Sequence, residues 1–78
     1  MEIKVLGSGC AKCNMLEEAT KQAVAQAGID AHVEKVTDMA QIMDYGVMST
    51  PALVVDGQVR ITGQVPSVDA LVALLTRD

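Results

Sequence analysis

Cys10-Ala11-Lys12-Cys13 is the stretch of this sequence best equipped for chemistry, and its two cysteines are the only ones in the chain. They follow a strand-like start, Met1 to Leu6, and stand where a helical pattern begins. At a helix N-terminus the unpaired N–H groups and the macrodipole favour the ionised thiol. Thiolates attack disulfides, and they also bind soft metals. A purely structural bridge explains the pair poorly. Closing so short a loop is worth about 1.9 kcal/mol on the chain-entropy formula. Secreted mini-proteins, by contrast, usually join distant segments through several bridges.

The elements that must hold this pair are legible along the chain. Glu2 to Leu6 reads as a strand, with Ile3 and Val5 on one face and Lys4 and Leu6 on the other. Gly7-Ser8-Gly9 interrupts it. A helix is predicted from Cys10 or Ala11 to about Ala27, with Leu16, Ala19, Ala23 and Ala27 marking its buried face and Gly28 its stop. Ala31 to Val36 reads as a second strand. Thr37 or Asp38 caps a short helix reaching about Tyr45, with Met39, Ile42 and Met43 as its apolar residues. Thr50-Pro51 then leads into Ala52-Leu53-Val54-Val55 at the sheet edge, Asp56-Gly57 makes a hairpin turn, and Gln58 to Thr62 returns. A last helix starts near Pro66 and Ser67, with Val68, Leu71, Val72 and Leu75 as its stripe and Arg77 suited to its end. The order is β-α-β-α-β-β-α. It predicts an α/β fold in which a mixed four-stranded sheet is flanked by helices, with residues 1–78 as one domain.

Bulk properties narrow the function. The chain is half apolar, so a folded globule is expected, and with Tyr45 as its only aromatic residue the core must be aliphatic. A net charge of -4 with scattered Lys and Arg argues against nucleic acid as a partner. No apolar run approaches membrane-span length, and Met-Glu-Ile-Lys does not open a signal peptide. A cytoplasmic monomer without a membrane partner is the expectation.

The element order resembles the thioredoxin fold when read together with a C-x-x-C opening the first helix and Thr-Pro opening the hairpin. The chain is most similar to the small glutaredoxin-like, redox-active disulfide proteins of archaea and bacteria. Gly9-Cys10-Ala11-Lys12-Cys13, Ser49-Thr50-Pro51-Ala52 and Val55-Asp56-Gly57 carry the match, which spans essentially the whole chain. The resemblance implies a cis Pro51 facing the disulfide, with the Thr50 backbone offered to a substrate. The plain reading of Thr50-Pro51 is a trans proline that starts a strand. The resemblance also implies a thiol–disulfide oxidoreductase of the thioredoxin and glutaredoxin kind. Cys10 is then the attacking thiol and Cys13 the more buried resolving thiol, with Gly9, Ala11, Lys12, Thr50 and Pro51 meeting the substrate. Lys12 either adds positive charge beside Cys10 or points to solvent. No cofactor and no metal are expected beyond the Cys10–Cys13 disulfide. The partners would be a protein or small-molecule disulfide and an unidentified reductase.

Departures from better-known relatives are plain. Gly9 stands where thioredoxin carries an aromatic residue, and no acid lies in the first strand's interior beside Val5 and Leu6. Ala11-Lys12 replaces the Pro-Tyr of glutaredoxins, and only Thr62-Gly63 and a displaced Asp69 remain of their glutathione site.

Other residues point elsewhere more weakly. His32 reads as a surface strand residue rather than a ligand. Met39, Met43 and Met48 read as gap-fillers in an aromatic-poor core, although Met48 also falls close to Pro51. Glu17, Glu18, Glu34 and Asp38 read as solvated faces and helix-start charges. Gly7-Ser8-Gly9 is too short a pattern for phosphate binding. The competing function is a soft-metal module binding Cu(I) or a similar ion through the two thiolates. Such domains run β-α-β-β-α-β, end on a strand and need no Thr-Pro. A third reading is a docking domain whose thiols only switch affinity.

Overall fold

The computed structural model describes residues 1–76. Arg77, expected to suit the end of the last helix, lies outside the described residues. Seven elements follow in order: β1 (Glu2–Leu6), α1 (Ala11–Ala27), β2 (His32–Val36), α2 (Met39–Asp44), β3 (Ala52–Val55), β4 (Gln58–Thr62) and α3 (Val68–Thr76). They form the expected α/β fold, with a mixed four-stranded sheet flanked by helices. The strand order is β2-β1-β3-β4. β1 pairs with β2 in parallel and with β3 antiparallel, and β3 pairs antiparallel with β4. The hairpin therefore joins the sheet through its first strand. Thr50-Pro51 leads into an interior strand, not the sheet edge expected from sequence.

Local chemistry accounts for the element boundaries. The Cys10 side chain caps α1, and Gly28 ends it in a left-handed conformation at φ 66°. The Asp38 carboxylate accepts the Ala40 N–H at 3.0 Å and starts α2. The Ser67 hydroxyl accepts the Ala70 N–H at 3.1 Å and starts α3. Asp56 and Gly57 both hold positive φ, as the tight hairpin turn requires. The Asp56 carboxylate also accepts the Glu2 N–H at 2.8 Å, tying the turn to the start of β1.

The sheet buries a different cluster on each face. Ile3, Val5, Leu53, Val55 and Ile61 pack against Leu16 and Ala23 of α1 and against Leu71 and Leu75 of α3. Leu6, Val36, Ala52 and Val54 meet Ile42, Val47 and Tyr45 on the other face. Alternation along β1 thus sends Val5 to one cluster and Leu6 to the other, as the strand period demands. The buried face of α1 comprises Cys13, Leu16, Thr20 and Ala23. Thr20 satisfies its hydroxyl on the Leu16 carbonyl at 2.7 Å.

The methionines correct the sequence reading. Met39, Met43 and Met48 are exposed by 57%, 68% and 98% respectively, so none fills a gap in the core. A six-residue helix turns only one side chain inward, and that residue is Ile42. Among the described residues no helix is long and apolar enough to cross a membrane.

These burials predict a contrast. Leu53→Ala should cost about 2–5 kcal/mol, since it empties a fully buried site. Met43→Ala should change stability by no more than about 0.5 kcal/mol. Urea midpoints of the two variants check this, and comparable losses would contradict the two-cluster core.

Candidate functional site

β1 ends at Leu6, and the next residues carry the chain off the sheet into α1. Gly7 keeps contact with the sheet by donating its N–H to the Val36 carbonyl at 2.9 Å. Gly9 takes positive φ at 75°, which a side-chain-bearing residue resists. The chain is thereby turned so that Cys10 becomes the N-cap of α1.

Cys10 and Cys13 are joined as a disulfide, with their Cα atoms 5.1 Å apart. The two sulfurs have unequal surroundings. Cys10 is exposed, whereas Cys13 is fully buried. The Cys10 sulfur accepts the Cys13 N–H at 3.1 Å, and the Cys10 carbonyl accepts the Asn14 N–H at 3.1 Å. A sulfur in that position uses one of the unpaired donors of the helix start.

Gly7 has a role that sequence reasoning missed. It is not among the glycines with positive φ, so its backbone would admit other residues. The restriction is steric. A Cβ at Gly7 would overlap the Cys13 sulfur, approach the Cys13 Cβ to 3.0 Å, and lie 3.9 Å from the Pro51 Cα. Gly7 therefore sits between the buried cysteine and the proline, and the absence of a side chain lets them close on each other. The only sequence signal was a glycine just after the strand, which reads equally well as a turn residue.

Thr50–Pro51 is a cis peptide bond, and Pro51 is buried while Thr50 is exposed. The Pro51 carbonyl accepts the Gly63 N–H at 2.7 Å. A Cβ on Gly63 would stand 3.3 Å from the Ser49 Cβ. Residues 7–15, 46–51 and 62–67 thus converge at one end of the sheet. Within these three segments the only charged residue is Lys12, although the chain carries ten acidic residues.

Of the residues expected at the site, Cys10, Cys13 and Pro51 are brought together around Gly7. Gly9, Ala11, Lys12 and Thr50 are exposed in the same segments. His32 is exposed and lies at the far end of the sheet, since it pairs with Glu2 while the cysteine loop leaves from Leu6. Its Nε2 stands 3.8 Å from Glu34 Oε1. Glu17 faces Lys21 at 3.5 Å and Lys35 at 3.9 Å along the flank of α1, and Lys35 also donates to the Asn14 side chain at 2.9 Å. These are solvated contacts, and Asp38 is a helix cap. Among the described residues no three or more His, Cys, Asp or Glu side chains gather to hold a metal. The soft-metal reading rests on the two thiols alone and gains no support.

The thioredoxin domain family matches residues 1–76 of this chain. The chain is similar to a thioredoxin of Methanothermobacter thermautotrophicus, 42% identical over 76 residues, covering 97% of this chain and 99% of the relative. It is similar also to a thioredoxin of Methanocaldococcus jannaschii, 41% identical over 69 residues, covering 88% and 79% of the two chains.

The contact at Gly7 is open to test. Gly7→Ala should push Cys13 out of its buried place and cost about 1–3 kcal/mol, the usual range for overpacking. Urea unfolding reads the stability. The alkylation rate of Cys13 in the reduced protein reads its exposure, which should rise. Unchanged values in both would show that the neighbours yield without consequence.

Proposed function

This chain belongs to the thioredoxin family, and on that premise we propose that it reduces disulfides by a two-cysteine exchange in which Cys10 attacks and Cys13 resolves. The observation that carries the assignment is the asymmetry of the pair. Cys10 is exposed at the N-cap with its sulfur against a main-chain N–H, whereas Cys13 is buried against Gly7. A client disulfide can reach only the first of them.

The exchange balances as follows. The Cys10 thiolate attacks one sulfur of the client, the client S–S bond breaks, and one client thiolate leaves. A mixed disulfide now joins Cys10 to the client. Cys13 gives up its proton to solvent and attacks the Cys10 sulfur, which releases the second client thiolate. The client has gained two electrons and is left as two thiols, and the protein has lost the same two electrons in closing the Cys10–Cys13 disulfide. An external dithiol reductant restores the pair. Since sulfur holds the electrons throughout, the reaction requires no resident cofactor or metal.

The helix start supports the first step. The N–H of Cys13 and the positive end of the α1 dipole stabilise negative charge on the Cys10 sulfur. Lys12 is the one charged side chain in the surrounding segments, and its sign assists. Ala11, Gly9 and the exposed Thr50 offer backbone and little bulk beside the sulfur, which suits an approaching polypeptide. Pro51 fills the space beside Cys13 without offering an N–H or a ligand.

Two outcomes are expected. In the reduced protein Cys10 should be alkylated faster than Cys13 by at least about tenfold, in keeping with thiolate character and access. Cys13→Ser should trap a mixed disulfide at Cys10 when mixed with a protein disulfide, as seen by mass spectrometry of the non-reduced adduct. Faster reaction at Cys13, or no adduct in that variant, would remove the assigned roles.

A further inference from the structure

The last two residues of β2 hold the cysteine turn from both sides. The Val36 carbonyl accepts the Gly7 N–H at 2.9 Å, on the strand side of the buried sulfur. The Lys35 ammonium donates to the Asn14 side-chain oxygen at 2.9 Å, on the helix side. Asn14 directly follows Cys13, and its N–H donates to the Cys10 carbonyl at 3.1 Å. Lys35 is therefore tied to the start of α1, one helical turn along from the exposed cysteine. Resting on the two-cysteine exchange described above, we propose that Lys35 is a positioning residue for that reaction. Through Asn14 it clamps the cysteine turn to β2, and its tethered positive charge favours the Cys10 thiolate.

Two observations favour a chemical role over a merely structural one. The first is sign. A cation beside the first turn of a helix opposes the macrodipole, so helix stability does not call for it. An anionic sulfur at the N-cap does, and the first turn of α1 holds no acid that would answer the charge instead. Glu17 stands 3.9 Å from the Lys35 ammonium and 3.5 Å from that of Lys21, so its charge is divided between two cations. The second is restraint. The Lys35 side chain is only 31% exposed and is held by Asn14, whereas Lys12 is exposed. A charge already held in place acts on its neighbour without first losing side-chain freedom. Of the remaining charged groups around the pair, Glu18 lies on α1, Asp38 opens α2 and Asp69 lies in the first turn of α3. Lys4 and Glu34 alternate with Val5 and Lys35, and so turn to the opposite face of the sheet.

The test reads the pH midpoint of Cys10 alkylation in the reduced protein, with the labelled cysteine identified by mass spectrometry. Lys35→Gln keeps a donor for Asn14 and loses the charge, and Lys35→Met loses both. Each should raise the midpoint by about half a unit, the scale of one partly exposed charge acting on another. Below the midpoint, exchange with a peptide disulfide should slow about twofold, since the smaller thiolate fraction is partly offset by greater nucleophilicity. Lys35→Arg should keep the midpoint of the unaltered protein. Lys21→Met, which removes a cation about two turns beyond Asn14 on α1, should keep it too. An unmoved midpoint in both Lys35→Gln and Lys35→Met would overturn the role of the charge, as would an equal rise in Lys21→Met or in Lys35→Arg. A rise in Lys35→Met with none in Lys35→Gln would leave a structural clamp alone and overturn it too. The midpoint is read by alkylation, so each of these results leaves the exchange reaction in place. Absence of a mixed disulfide in Cys13→Ser would instead defeat the exchange reading, and with it any part for Lys35 in that reaction, whatever the midpoint.

Discussion

The site depends on one close approach, that of the Gly7 backbone to the Cys13 sulfur. The first strand must end, the first helix must begin, and the loop before the third strand must close over both. All three demands meet at a point where no Cβ is admitted. The Gly7 N–H to Val36 bond fixes the strand side of this junction, and Cys13, buried on the first turn of α1, fixes the helix side. Leu16, Thr20 and Ala23 continue the same buried face, so the position of the cysteines is set by the packing of the whole helix. A displacement of Cys13 would have to move α1 against the sheet, and a packed interior resists such movement.

The same junction makes two chemically identical thiols unequal. Three residues along a helix is slightly less than a turn. The pair therefore remains close enough to bond while one sulfur faces solvent and the other the interior. The helix contributes its N–H groups only at its start, so the sulfur that is reachable is also the one beside a main-chain donor. Accessibility and charge stabilisation thus coincide at Cys10 through helix geometry, without a dedicated acid or base. This fits a site whose surrounding segments contain Lys12 as their only charged residue.

Much of this was legible in the sequence because it rests on local signals. The two ends of α1, the Asp38 and Ser67 caps and the Asp56-Gly57 turn each follow from residue types acting on their immediate neighbours. What escaped was decided between elements. The interior place of β3 depends on which strand of the hairpin pairs with β1, and the hairpin pattern is the same either way. Met39 and Met43 looked like core because α2 is apolar. Yet both are exposed, and the residue this short helix buries is Ile42. The demand on Gly7 comes from a side chain six positions later, brought back by the helix, and no backbone angle at Gly7 announces it.

The distribution of charge follows from a different constraint than the fold does. Ten acidic residues give the chain its net charge of -4, yet residues 7–15, 46–51 and 62–67 contain none of them. Nothing in the packing demands this, since Met48, Ser49 and Thr50 are exposed and would accept a carboxylate without entering the core. An acid there would act instead on chemistry. It would oppose a thiolate at Cys10, and it would repel the thiolate leaving a client at the same place. The residues that leave the fold indifferent are those where the reaction is most sensitive to sign. A surface that is acidic elsewhere and nearly uncharged around its one exposed cysteine is the pattern the proposed exchange calls for.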